Sequence, residues 1–217
     1  MSTGAVRTFV IVASAAVVCS SGQAALADAR ADAIVAALAA RTATIAAYRV
    51  AVTAHVRMRN FPFLRAVFRG TTQYTRPGQF SVALGNATLA NDYQAAFNTM
   101  GDPAVWQQDY SIALDPSQAS NPDVAALRLD PKTPGPIDHT VAFVRLSTMT
   151  VDQIQWYYTD GGRVIMQQSY APVNNVLMVA HQDIDIAMPS ARLFAQADLT
   201  GYAMTNDLHG AVAVNHK

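Results

Sequence analysis

Glutamate is absent from the 217-residue chain, and cysteine occurs once, as Cys19. Every acid is therefore aspartate, and all but two of the cations are arginine, a compositional bias with no chemistry attached to it. With a single cysteine no disulfide can form within the chain, so the fold must rest on an apolar core large enough to hold alone. Basic and acidic residues balance at 15 each, and no basic block occurs, which excludes the footprint of a nucleic-acid partner. No G-x-S-x-G elbow and no Walker-type loop is present, and the five histidines are scattered. The chain reads as non-enzymatic and calls for no cofactor.

What is present begins with a leader. Arg7 precedes an uncharged run from Thr8 to Ser21 with its apolar centre at Phe9 to Val18, and Ala25-Leu26-Ala27 follows before Asp28. A basic start, a short apolar run and an A-x-A ending are the parts of a secretory signal peptide. The run falls short of the roughly 20 residues that a bilayer-spanning helix needs. Cleavage is expected after Ala27, leaving 28–217 as one exported domain. Cys19 as a lipid anchor is the alternative, but Val18 stands where a small residue is expected.

Ala29 to Ala47 is alanine-rich, with Ile34, Val35, Leu38 and Ile45 near one helical face, and it predicts an amphipathic helix. The period then changes to two. Tyr48, Val50, Val52, Ala54, Val56 and Met58 alternate with polar residues, as in a strand with one apolar and one wet face. Twelve residues, at about 3.3 Å each, span roughly 40 Å, which suits a broad, bent sheet. Phe61-Pro62-Phe63-Leu64 makes an unusually apolar turn, and it serves equally well as a contact surface or as a segment folded into the core. A return strand over 67–76, a Pro77-Gly78 turn and a strand over 79–84 follow. Leu89, Tyr93, Ala96 and Phe97 sit at helical spacing, and Asp102-Pro103 before Trp106 marks a short helical start. From Tyr110 the pattern is strand after strand: 110–114, 124–129, 141–148, 151–159, 163–170, 176–188, 191–199 and 201–206. Asp160-Gly161-Gly162 provides a hairpin turn.

His181, Asp183 and Asp185 share one strand face and could hold a metal, although a solvated face explains them as well. The apolar faces bearing Trp156, Tyr158, Val164, Met166, Tyr170, Met178, Ile184, Ile186 and Met188 are core by default. One long helix and a few short ones are few to cover so wide a sheet, so a filled core and a ligand cavity both remain open.

The order helix, long strand, strand, then Arg76-Pro77-Gly78-Gln79-Phe80 resembles the Lol-type outer-membrane lipoprotein carrier proteins and their lipid-binding relatives, which carry an R-P-x-x-F turn after the second strand. Trp156 to Gly162 is similar to the hairpins that continue their sheet, whereas Asn86 to Tyr110 departs from them. The resemblance implies an α+β fold: a strongly curved antiparallel sheet, an unclosed β-barrel of about nine to eleven strands, with an N-terminal helix and short helices on its concave side. It implies a monomeric, non-enzymatic carrier that holds an acyl chain of a lipid or lipoprotein and moves it across the periplasm toward the outer membrane. Val50, Val52, Val56, Met58, Phe68, Tyr74, Phe80, Trp106, Trp156, Tyr158 and Met166 would line the lipid site. Phe61, Phe63 and Leu64 would meet a membrane or a membrane-bound donor or acceptor protein. Arg49, Arg57 and Arg59 would either read a head group or face water. An envelope sensor or interaction protein with a filled core is the alternative, and a metal-dependent enzyme at His181 and Asp183 the third.

Overall fold

The structure, a computed structural model, describes residues 18–60, 63–83, 100–115, 117–118, 121–189 and 191–206. Helix α1, Val18–Arg41, starts before the expected cleavage point after Ala27 and runs through it. Ala31, Ile34, Val35 and Leu38 are its buried stripe, at the three- and four-residue spacing of one helical face. The helix ends earlier than the sequence predicts. Thr42–Thr44 form a turn, and Ile45 is buried as the first residue of a strand, not as the last of the helix. Two β-branched threonines beside Ile45 favour extended backbone over another helical turn. The Arg76 guanidinium donates to the Thr42 carbonyl at 2.6 Å, which also accepts from the Ile45 N–H, and to the Ala43 carbonyl, so it braces the turn between α1 and β1.

The strands are β1 (Ile45–Met58), β2 (Arg65–Thr75), β3 (Gln79–Ala83), β4 (Tyr110–Leu114), β5 (Val124–Pro131), β6 (Ile137–Arg145), β7 (Thr150–Tyr158), β8 (Arg163–Val173), β9 (Val176–Ala187) and β10 (Arg192–Asn206). They form one antiparallel, curved sheet in the order β3-β2-β1-β10-β9-β8-β7-β6-β5-β4, open between β3 and β4. This is the unclosed, helix-backed sheet expected, with ten strands among the described residues. The two segments predicted over 191–199 and 201–206 are one strand. A register shift against β1 falls at Gly201, whose φ of +69° is a conformation that glycine adopts without strain. β10 returns to pair with β1, so the last strand lies beside the first.

Between β3 and β4 the described chain resumes at Met100 and passes through a 3-10 turn (Pro103–Val105) into a short helix α2 (Trp106–Asp109). The helical spacing of Leu89, Tyr93, Ala96 and Phe97 lies outside the described residues. Among the described residues no helix is long and apolar enough to cross a membrane, which says nothing of β-strand spans.

The core is lopsided. α1 lies over one half of the concave face, where Trp106, Leu127, Leu129, Ala142, Val144 and Trp156 are at most 1% exposed. Among the described residues the half built by β10, β1, β2 and β3 carries a small second cluster of Val52, Ala54 and Ala197, with Phe68 and Leu199 against it. One helix is too narrow to cover ten strands, and the uncovered half is where the site lies.

Candidate functional site

Beside the end of α1 an open cavity of about 320 Å³ lies over β10, β1 and β2 and reaches onto β7, β8 and β9, at the lower end of the roughly 300–1,000 Å³ typical of small-molecule sites. Its floor is made of small side chains at alternate positions of adjacent strands: Val52 and Ala54 on β1, Ala195 and Ala197 on β10. Ala54 is paired with Ala197, and Val56 with Ala195. Alanine leaves room above the sheet that leucine or phenylalanine would fill. Val56, Phe68, Ile184 and Leu193 wall the end nearest the β1–β2 turn, and Arg41, Thr42 and four aromatics wall the other.

Those aromatics form a cluster. Tyr48 stacks on Tyr74 with centroids 5.2 Å apart, meets Phe80 edge-on at 6.1 Å, and lies 5.5 Å from Tyr202. Tyr74 and Phe80 are 5.2 Å apart. The Asp102 carboxylate fastens this wall, accepting from the Tyr74 hydroxyl at 2.6 Å and from the Gly78 and Ala104 N–H groups, each at 3.0 Å. Phe80 lies so close over Gly101 that a Cβ there would stand 2.3 Å from the ring. The Arg76-Pro77-Gly78-Gln79-Phe80 segment therefore holds the wall in place: Arg76 grips the turn after α1, Gly78 binds Asp102, and Phe80 covers Gly101.

Burial dominates the electrostatics. It pushes Tyr74 up to about 12, helped by its hydrogen bond to Asp102, and Tyr170 likewise to about 12. Burial also raises Tyr48 and Tyr202. All four hydroxyls stay protonated near neutral pH. Tyr170 donates to the Val151 carbonyl at 2.8 Å and Tyr202 to the Val179 carbonyl at 2.6 Å. Desolvation lowers the pKa of the Arg41 guanidinium from its ordinary value.

Of the residues expected to meet lipid, Val52, Val56, Phe68, Tyr74, Phe80 and Met166 line the cavity. Val50 is buried outside it, Met58 is half-buried at the far end of β1, and Trp106, Trp156 and Tyr158 pack into the core under α1. Strand faces alone could not separate the half that α1 covers from the half it leaves open. Small residues were the missed signal, together with Arg41, Tyr48, Tyr170 and Tyr202.

Phe63 is 76% exposed, and Leu64 and Val67 are 49% exposed, at the β1–β2 turn; Phe61 lies outside the described residues. Beside this turn Arg57 and Arg65 stand directly opposite one another, with the Arg57 guanidinium 4.8 Å from the Phe194 ring centre. Arg59 pairs with Asp185 at 2.9 Å. Arg49, Arg57 and Arg59 are exposed and none lines the cavity. His181 lies 2.6 Å from Asp198 and 3.5 Å from Asp183, and the Asp198 hydrogen bond raises its pKa. Among the described residues no group of three or more His, Cys or Asp is placed to hold a metal.

No family model and no curated protein matches the chain. Solved structures do match it in fold. A DUF1329 family protein from Desulfovibrio piger aligns with a TM-score of 0.63 at 10% identity, over 84% of this chain and 95% of its own. A domain described as outer membrane lipoprotein-sorting, from Vibrio parahaemolyticus, aligns with a TM-score of 0.58 at 9% identity, over 84% and 95%. A LolA superfamily protein from Nitrosomonas europaea gives 0.55 at 12% identity, over 81% and 93%. At these identities the likeness is one of fold.

Proposed function

We propose that the chain is a non-enzymatic, exported carrier that holds one acyl chain of a lipid or lipoprotein in the cavity and moves it across the periplasm toward the outer membrane. The observation that carries this reading is the cavity itself. The helix fills one half of the curved sheet, and small residues on β1 and β10 keep the other half open. A packed concave side would have suited an interaction protein instead. Each buried methylene contributes about 0.8 kcal/mol, so a dozen of them offset a substantial cost of enclosing a flexible chain. The lipoprotein-sorting and LolA descriptions of the fold neighbours support the same class of ligand.

In this reading Val52, Val56, Phe68, Tyr74, Phe80 and Met166 touch the acyl chain, and the exposed Phe63 and Leu64 meet a membrane. Arg57 and Arg65, directly opposite one another beside them, add positive charge to this tip, which favours an anionic surface. The leader before Asp28 supplies the export route. Extraction of the purified protein into organic solvent, followed by mass spectrometry, tests the proposal. A stoichiometric acyl lipid is expected. Absence of any lipid, together with failure of the lipid-free protein to bind added fatty acyl probes, would remove the carrier reading.

A further inference from the structure

We infer that Arg41 is a head-group anchor, so that the ligand is an amphiphile with a single oxyanion, carboxylate or phosphate, at one end of its chain. This rests on the carrier reading and narrows it.

Arg41 lies in the cavity wall at the end marked by Thr42 and Tyr48, where β1 begins. A guanidinium offers five N–H donors. Here one nitrogen donates to the Leu177 carbonyl, the guanidinium carbon lies 5.5 Å from the Tyr170 ring centre, and the shielded Nε has no hydrogen-bond partner. No carboxylate pairs with Arg41 among the described residues, whereas Arg59, Arg128 and Arg145 each have one. A cation at the last residue of a helix is favoured by the helix dipole. The guanidinium does not turn back on its own helix end but reaches across to the Leu177 carbonyl on β9. What remains is a partly buried charge in the cavity wall with no carboxylate paired to it, the Asp102 carboxylate in the same lining being taken up by Tyr74, Gly78 and Ala104, and such a charge is costly until an anion arrives.

The cavity has a matching polarity. Arg41 and the tyrosine hydroxyl groups stand at one end, and Val56, Phe68 and Leu193 at the other. From Tyr48 to Val56 along β1 is about 27 Å at 3.4 Å per residue, room for an extended tail below a fixed head. A guanidinium fork is the side-chain group best matched to two oxygens of a carboxylate or phosphate.

The test uses three amphiphiles with the same twelve-carbon tail: laurate, dodecyl phosphate and dodecanol. Each displaces the uncharged dye N-phenylnaphthylamine from the lipid-free mature protein. The wild type should bind at least one of the two anions tenfold or more tighter than dodecanol. Arg41→Gln should abolish that preference while leaving dodecanol within about twofold, and Arg41→Lys should keep part of it. Preference for laurate identifies a carboxylate head and preference for dodecyl phosphate a phosphate; either supports the anchor. Equal binding of all three by the wild type overturns it, and that comparison stands even if a variant fails to fold. A preference that survives in Arg41→Gln also overturns it, with the carrier reading intact. Failure of the wild type to bind any of the three removes the carrier reading and the anchor together.

Discussion

The Tyr74 hydroxyl donates a 2.6 Å hydrogen bond to the Asp102 carboxylate, joining β2 to the segment that leads into β4 across the open side of the sheet. Asp102 is 3% exposed and takes two backbone N–H groups besides. Hydrogen bonds to charged groups contribute about 1.5–3 kcal/mol each. Tyr74→Phe should therefore lower stability by about that amount in urea unfolding, and Asp102→Ala by more, since it orphans three donors. Each is expected to loosen the aromatic wall without disturbing the core under α1. A neutral Tyr74→Phe would mean that the bond contributes nothing.

Gly101→Ala places a methyl group 2.3 Å from the Phe80 ring and must displace it. Overpacking of this kind costs about 1–3 kcal/mol. The displacement should vanish when the ring is removed, so Gly101→Ala introduced into Phe80→Ala should cost little. A double-mutant cycle in urea checks this coupling; additive effects would contradict it.

Phe63 is 76% and Leu64 49% exposed, so Phe63→Ser and Leu64→Ser should each lower the unfolding free energy by no more than about 1 kcal/mol. Flotation with vesicles rich in phosphatidylglycerol should fall several-fold in the double variant. It should also fall in Arg57→Gln/Arg65→Gln, more steeply as salt is lowered in the wild-type comparison. Unchanged flotation in both would assign the turn no membrane contact.

The Asp198 hydrogen bond raises the pKa of His181, so the protonated form is favoured by folding. The stabilisation is then fully present below the ordinary histidine value of about 6.5 and is lost as pH rises through the raised one. Asp198→Asn should lower the melting temperature most at pH 5.5 and progressively less toward pH 9. A pH-independent difference would contradict the pairing.

Much of the sheet was legible because its signals are local. The alternation from Tyr48 to Met58 and the turn at Gly161 mark strands wherever the chain goes next. Ile45 misled because its apolar side chain fits a helix stripe and an inward strand position equally; only the turn at Thr42–Thr44 decides. The partnership of β10 with β1 spans most of the chain and leaves no local trace. The cavity was half legible for the same reason. Val52, Phe68 and Trp156 look alike in sequence, and only the path of α1 over the sheet sends Trp156 into a packed core and leaves the other two facing open space. Ala54, Ala195 and Ala197 matter through the volume they do not occupy.

The claim that this space holds an acyl chain is met most directly by filling it. Ala197 is 5% exposed on the cavity floor, and phenylalanine there would project its ring into the space without touching the core under α1. Titration of the lipid-free protein with a fluorescent fatty acid should give saturable binding of one probe per chain in the wild type and at least tenfold weaker binding in Ala197→Phe at comparable thermal stability. Saturable binding that Ala197→Phe leaves unchanged, or none in the wild type, would contradict it.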